Sequence, residues 1–457
     1  MWQRKLSELY KRILRLNRKE AEDFIYKSYM KAEKNIDYSS KDCYKRHPEL
    51  TQGLIQQRSC APAVLVTGSK GKGSVASMIS QILSAKIKTG LMTSPHISSF
   101  CERFKVNGMD ISDHDFAKHV SALEKEIETI EAKIPENVYI SPMGIQTLVA
   151  LDYFKTQNTE ANVFECGKGA KYDDVNNIVH QYSVINKIFL EHTRELGSTL
   201  AEIAEDKAYV ITENQTRVYI AEQDSEVRTV LINRADSLGV PVKEYGKDFW
   251  AENIRFSKTG MLFDVVINSS KYTDILVPLM GEHQAENATL ALAFCYDYFE
   301  EREMAFDIDV IKDRLSKILW PGRMEVISTS PFIMLDACIN RESCKLVKEV
   351  LENLDIKDVT TIVGIPDDKD YAGVVKEMAD ISSGIMLTKS SNPHYVFTDK
   401  QVSTLASEGI KVIQTDSVEE ALQLAKDKSN NIVILGTTSV VADVKKLRID
   451  KSWVSLL

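Results

Sequence analysis

The sequence predicts an α/β protein in which a central domain on a mostly parallel sheet is followed by a smaller α/β domain toward the carboxyl end. Three observations predict it. Apolar runs of strand length alternate with amphipathic stretches of helical spacing from residue 63 onward. That alternation changes character between 249 and 279 and breaks again at 325–331. The length of 457 residues also exceeds what one core accommodates, about 250–300 residues.

The elements follow in order. Arg4, Lys5, Lys11, Arg12, Arg15, Arg18 and Lys19 interleave with Leu6, Leu9, Tyr10, Ile13 and Leu14, the spacing of an amphipathic helix with a solvated basic face. Residues 31–60 are polar and irregular, so 1–60 is expected as an N-terminal helical extension. Ala63-Val64-Leu65-Val66 reads as a buried strand running into Thr67-Gly68, and Val75, Met78, Ile79, Ile82 and Leu83 share one helical face. Leu91-Met92-Thr93 is the next strand. A helix around Ile145, Leu148 and Val149 leads to strands at 162–165 and 183–188. Short alternating runs around Lys258-Thr259-Gly260 predict a small antiparallel piece, with a helix at 286–299 after it. Strands then restart at 332–335, 360–363, 385–387 and 432–435, separated by helices, one of which opens on the capping-box pattern Ser417-Val418-Glu419-Glu420. Because Ser328-Thr329-Ser330-Pro331 interrupts the pattern, the central domain is expected over 61–325 and the last over 326–457.

Composition narrows the function classes. A hydrophobic share of 44% and a charged share of 27% describe an ordinary globular chain, and a net charge of -9 does not favour nucleic acid. Seven cysteines without a C-x-x-C pair suggest neither a disulfide framework nor a zinc site. With no apolar h-region and no window of 18 continuous apolar residues, a cytoplasmic protein without a membrane partner is expected.

Gly68-Ser69-Lys70-Gly71-Lys72-Gly73-Ser74 lies between the first strand and an amphipathic helix. There, backbone N–H groups can converge on phosphate oxygens at a helix N-terminus, with Lys72 as a point charge and Ser74 as a hydroxyl near a phosphate or metal. The spacing departs from G-x-x-x-x-G-K-[ST] because Gly73 intervenes between Lys72 and Ser74.

That inserted glycine carries a resemblance. Thr67 to Ser74 is similar to T-G-T-N-G-K-G-S, the phosphate loop of folylpolyglutamate and dihydrofolate synthases within the wider Mur ligase family, with Ser69 and Lys70 in place of Thr and Asn. Thr93-Ser94-Pro95-His96, Glu102-Arg103 and Asn107-Gly108 resemble T-S-P-H…E-R…N-G, and 165–176 keeps the spacing of E-V-G-L-G-G-R-x-D-x-T-N. Glu191-His192-Thr193 and Ile203 to Ala208 resemble D-H-T…I-A-x-E-K-A, with the interval of 15 from His192 to Lys207 kept. Gly281 to Ala288, Pro321 to Glu325 and Asp336 to Asn340 stand for G-x-H-Q-x-x-N-A, P-G-R-x-E and D-G-A-H-N, and Asp368-Lys369-Asp370 and Gly436-Thr437 complete the series.

The resemblance implies an ATP-dependent ligase that joins a carboxylate to an amine through an acyl phosphate, with a smaller Rossmann-like C-terminal domain. Its implied nucleotide residues are Gly68, Ser69, Gly71, Lys72, Gly73, Ser74, Gln284, Asn287, Arg323 and Asp336. Mg²⁺, in two ions, would be held by Ser94, Glu165, His192 and a carbamylated Lys207, and Lys72, His192, Lys207 and Arg323 would be catalytic. The partners would be a small carboxylic acid and an amine.

The departures bear on the substrates. Ile339 stands at the family's histidine, Ala170-Lys171 at Gly-Arg, and Met143-Gly144 at Phe-Glu. A hydrocarbon cannot hydrogen-bond a carboxylate, so either the preferred amine is not L-glutamate or other residues receive it. A paralogous ligase for another acid and amine, and a nucleotide-binding protein without ligase activity, are the alternatives.

Overall fold

The computed structural model describes residues 16–36, 46–318 and 320–449. The basic helix expected at 4–15 lies outside them. The chain forms two compact units, the first of residues up to Trp250 with 265–271 and 286–314, the second of 251–264, 272–285 and Leu315 onward.

The first unit opens with helices α1 (Arg18–Ala32) and α2 (Glu49–Gln56), then β1 (Ala63–Thr67), α3 (Lys72–Leu83), β2 (Thr89–Met92), β3 (Phe104–Val106), β4 (Met109–Asp110), α4 (Asp113–Glu131) and α5 (Pro142–Thr156). It continues through β5 (Ala161–Glu165), β6 (Tyr182–Ile185), α6 (Leu200–Ala208), β7 (Arg217–Ile220), α7 (Ser225–Leu238) and β8 (Val242–Glu244). The eight strands order as β4-β3-β2-β5-β1-β6-β7-β8. Only the β2–β3 and β3–β4 pairs are antiparallel. The expected mostly parallel sheet is therefore present, and β1 and β5 are buried along their whole length, as a sheet covered on both faces requires.

The segment expected as an N-terminal extension is part of this unit. Ala21, Phe24, Ile25 and Ile55 belong to the same buried core as Leu65 and Phe164, and α1 packs on α4 and α5. Polar loop composition at 31–60 concealed this, because each helix has only one narrow apolar face.

Three hairpin-linked strands, β9 (Phe249–Ser257), β10 (Gly260–Ile267) and β11 (Ser270–Val277), make the small sheet expected near Gly260. Helix α8 (Glu282–Glu300) then returns the chain to the first unit, and α9 (Ile308–Leu315) follows. Asp297 of α8 accepts hydrogen bonds from the Tyr219 hydroxyl at 2.8 Å, Arg217 at 3.0 Å and Lys243 at 2.8 Å. A buried carboxylate facing two cations and a phenol fixes α8 against the β7–β8 edge.

The second unit contains β12 (Glu325–Thr329), β13 (Phe332–Asp336), α10 (Arg341–Asn353), β14 (Val359–Gly364), α11 (Tyr371–Met378), β15 (Ser382–Leu387), α12 (Lys400–Ser407), β16 (Ile413–Gln414), α13 (Val418–Lys426), β17 (Asn431–Gly436) and α14 (Thr438–Ile449). Its strands order as β12-β13-β17-β14-β15-β16, and all but β12 run parallel. This is the smaller Rossmann-like domain expected. It takes up the chain at Leu315, ahead of the start expected at 326, and Ser328 to Pro331 is not a linker: Ser328 and Thr329 end β12, and Ser330-Pro331 turns the chain into β13. Serine, threonine and proline serve hairpin ends as well as linkers, which is why composition misplaced the boundary.

Candidate nucleotide and ligase site

Ligands of open α/β sheets sit beyond the carboxyl ends of the strands. In the first unit the neighbours β5, β1 and β6 end at Glu165, Thr67 and Ile185, so these three strands deliver Glu165, the 68–74 loop and Asn186 to one edge.

The loop is held by its backbone. Gly71 caps α3 in the left-handed region (φ +75°), leaving the first N–H groups of α3 without intrahelical acceptors. A Cβ at Gly68 would stand 2.8 Å from Asn186 Cβ, and one at Gly71 would stand 2.6 Å from Asn186 Nδ2 and 3.0 Å from Asn287 Nδ2. Asn186 Nδ2 donates to Lys70 O at 2.9 Å and to Asn287 Oδ1 at 2.8 Å. The expected residue Asn287 thus lies against the loop. Ser69 N donates to Lys187 O, and Ser69 Oγ both donates to Phe189 O (3.1 Å) and accepts from Phe189 N (3.0 Å). Gly73 and Ser74 are buried in the first turn of α3.

Two lysines converge on one carbonyl. Lys72 Nζ donates to Gly68 O at 3.0 Å and to Ser69 O at 3.1 Å, while Lys207 Nζ donates to the same Gly68 O at 2.7 Å. Lys207 is fully buried, and its ion pair is with Glu191 Oε1 at 3.1 Å. Burial, reinforced by the Lys72 charge, holds the Lys207 pKa below the ordinary lysine value, with Glu191 opposing. His192 follows in a left-handed conformation (φ +48°), its Nε2 3.9 Å from Glu191 Oε2, and burial lowers its pKa despite Glu191. Lys168, bonded to Glu195 at 2.9 Å, adds a positive charge that lowers it further. Glu165 is buried, and its Oε2 accepts from Ser94 N at 2.8 Å.

In the second unit, Asp336 at the end of β13 is buried and its Oδ2 accepts from Met324 N at 2.7 Å. This bond folds the 321–324 turn beside Asp336 and sets Arg323, which is exposed, next to it. Gln284 is buried with Nε2 3.1 Å from His283 Nε2, and Ile339 is half-buried after β13.

Residues 66–295 match the Mur ligase middle domain. The chain belongs to the Mur ligase family. It is 26% identical over 384 residues to the folylpolyglutamate synthase of Lacticaseibacillus casei, covering 83% of this chain and 88% of that one. It is also 26% identical over 389 residues to the dihydrofolate synthase/folylpolyglutamate synthase of Bacillus subtilis, covering 83% and 89%. Mycobacterium tuberculosis folylpolyglutamate synthase complexed with ADP superposes with a TM-score of 0.76 at 25% identity, covering 93% of this chain and 98% of that one. The protein is thus an ATP-dependent amide-forming ligase resembling the folylpolyglutamate synthases.

Several residues of this ligase near the site carry no role in the sequence reading. Arg103, nearly buried, donates from Nε to His96 Nδ1 at 2.9 Å and from Nη1 to Gln146 Oε1 at 2.7 Å, with its guanidinium 4.6 Å from the Phe100 ring centroid. Burial and this cation push the His96 pKa down to about 4, so the ring is a neutral acceptor. Asp174 fills the space that a side chain at 144 would need: a Cβ on Gly144 would stand 2.4 Å from its Oδ1. Thr51 donates to that oxygen at 2.6 Å, and burial raises the Asp174 pKa to about 6. The E-R motif signalled Arg103; Thr51 and Asn186 gave no signal, since each is identifiable only by what it touches.

The donor chemistry fits the implied groups. Steric closeness at Gly68 and Gly71 reserves the loop for backbone contacts to phosphate, and the Ser94 hydroxyl and Glu165 carboxylate are hard oxygen donors suited to Mg²⁺. Among the described residues, no group of three or more His, Cys, Asp and Glu side chains converges as a metal cluster. Glu165 accepts from the Ser94 backbone, and His192 Nε2 lies 3.9 Å from Glu191 Oε2. No helix among the described residues is long and apolar enough to cross a membrane.

Proposed function

We propose that the ligase adds L-glutamate to a folate-type carboxylic acid at the expense of ATP, as the names of its relatives suggest. The observation that carries this reading is the juxtaposition of the 68–74 loop, Lys72, Glu165 and the Lys207–Glu191 pair at the carboxyl edge of β5, β1 and β6.

The triphosphate would lie on the N–H groups at the start of α3, with Lys72 turning from Gly68 and Ser69 carbonyls to the phosphoryl group, and Arg323 adding a second charge. A carboxylate oxygen of the acid attacks the γ-phosphorus as ADP leaves. The amine nitrogen then attacks the acyl carbon, phosphate departs, and the nitrogen releases a proton. Ser94 and Glu165 would hold one Mg²⁺, with His192 and Lys207 in the second group; the metal would neutralise phosphate charge during transfer. Arg103 supplies a guanidinium suited to an anionic group of the acid.

The Lys207 environment supports carbamylation. Burial, and after it the charge of Lys72 on the same Gly68 O, biases the amine of Lys207 toward its neutral form, which is the form that adds CO₂. Asp336 would meet the ribose, and Gln284 and Asn287 the base. Ile339 offers no polar group to glutamate, so other residues would receive its carboxylates. A reducing, cytoplasmic setting agrees with the six described cysteines, all unpaired thiols.

The test is a phosphate-release screen crossing dihydropteroate, folate and tetrahydrofolate with a panel of amino acids. Release that requires a pteridine acid and L-glutamate together supports the reading. Turnover only with other pairs makes this a paralogous ligase, and no turnover with any pair favours a nucleotide-binding protein.

A further inference from the structure

The turn that leaves β5 after Glu165 reaches both of the other groups expected to hold metal. Lys168 Nζ donates to Glu195 Oε1 at 2.9 Å, and Glu195 N donates to His192 O at 2.9 Å. Further along, Ala170 N donates at 2.8 Å to Oδ1 of Asp206, the residue before Lys207 on α6, and the same oxygen leaves no room for a Cβ at Gly169. Residues 166–173 therefore join the segments that carry Glu165, His192 and Lys207.

Asp173 folds this turn from within. Its Oδ2 accepts from Gly167 N at 2.7 Å and Lys168 N at 3.0 Å, and its Oδ1 from Val175 N at 3.1 Å. Asp173 and Asp174 are both buried, and a buried carboxyl group needs a cation or donors to hold it there. Arg46 is that cation: its Nη2 lies 3.3 Å from Asp173 Oδ2 and also donates to Lys168 O. One guanidinium thus grips the carboxylate that folds the turn and a carbonyl of the turn itself. Burial opposes its charge, but Asp173 and Asp174 outweigh burial and hold Arg46 above the ordinary arginine pKa. The chain next to Arg46 is fastened to the same region twice more, where Asn177 Nδ2 donates to Pro48 O at 2.8 Å and Thr51 Oγ1 to Asp174 Oδ1 at 2.6 Å.

We propose that Arg46 is a positioning residue of the ligase reaction, holding the 166–173 turn so that Glu165, His192 and Lys207 keep the spacing that metal binding needs. It lies ahead of every motif that carries the resemblance, in a stretch whose composition promised only an extension. Arginine suits the place because its guanidinium is weakly hydrated and fans its donors in one plane, whereas lysine brings one compact and strongly hydrated charge. Groups that orient metal ligands from outside typically carry about 10–100-fold of metal affinity. The inference rests on the reading of Glu165, His192 and Lys207 as the metal site.

Equilibrium titration of the full chain with Mn²⁺ in the presence of the ATP analogue AMPPCP, followed by electron paramagnetic resonance, tests it without requiring the acid or the amine. The variants are Arg46→Ala, Arg46→Lys and Glu165→Gln, each checked for folding by a thermal melt. Arg46→Ala should weaken Mn²⁺ about tenfold, and millimolar guanidinium, entering between Asp173 and Lys168 O, should restore most of that loss. Arg46→Lys, which keeps the charge and with it the fold, should lose about threefold and gain nothing from guanidinium. Native Mn²⁺ affinity in folded Arg46→Ala, or a loss there that guanidinium does not reduce, overturns the positioning role, provided that Glu165→Gln has lost binding. Where Arg46→Ala does not fold, native affinity in Arg46→Lys does the same. Native affinity in folded Glu165→Gln would instead overturn the metal site beneath the inference.

Discussion

Several candidate residues of the first unit are buried, whereas the candidate arginine of the second is exposed. In the first, Lys207, Glu165 and Asn287 are buried, and protein groups already occupy their polar atoms. In the second, Arg323 is exposed on a turn whose backbone is held by hydrogen bonds from Met324 N to Asp336 Oδ2, from Gly322 N to Glu325 Oε2 and from Ala337 N to Gly322 O. The difference teaches which part of the chemistry is preorganised. The charges around the phosphate loop are held by folding, whereas Arg323 is exposed, so damage in the first unit should cost more than damage in the second.

Mutations can break that ordering. Lys72→Ala removes the cation bonded to the Gly68 and Ser69 carbonyls of the loop, and turnover should fall by about a thousandfold or more while the melting temperature stays near wild type; phosphate release and a thermal melt measure both. Lys207→Ala should lose about a hundredfold or more, and, if the proposed carbamate forms, formate or acetate should restore part of it by supplying the oxygens. Full activity in that variant would remove Lys207 from the mechanism. In the second unit, Asp336→Ala leaves the buried Met324 N–H unpaired, costing about 1–3 kcal/mol, and frees the turn carrying Arg323. Its ATP affinity should drop by about tenfold with a smaller change in maximal rate, measured by titration and steady-state kinetics. The smallest effect is expected at Ile339→His, which should change the KM for glutamate by no more than about threefold if other residues receive it. A large gain there would mean that the apolar residue excludes glutamate and that another amine is preferred.

The sequence displays the strands, the glycine loop and the spacing from His192 to Lys207 because these are local patterns. Strands 63–66, 332–335 and 432–435 appear in the structure with their ends shifted by one residue or less. Contacts between distant positions do not appear in such patterns. Glu191 is visible as one letter of a motif, yet its ion pair with Lys207 follows from how the loop after β6 meets α6. Asn186 follows a strand with nothing to single it out until its amide is seen to bridge Lys70 and Asn287. Asp174 and Gly144 form a complementary pair, a carboxylate in the space that a missing side chain leaves, which only packing reveals.

The bridge from Asn186 to Asn287 spans 101 positions, and between them the chain leaves the first unit and enters it again. The order of assembly follows from this connectivity. A nascent or truncated chain ending before α8 contains the whole glycine loop, Lys72 and Lys207, but not the amide that braces the loop from behind or Asp297, which docks that helix. Closing so long a segment must precede the contacts that reward it. Competence to hold a nucleotide therefore arises late in synthesis, once the small three-stranded sheet has been made and the helix beyond it has swung home.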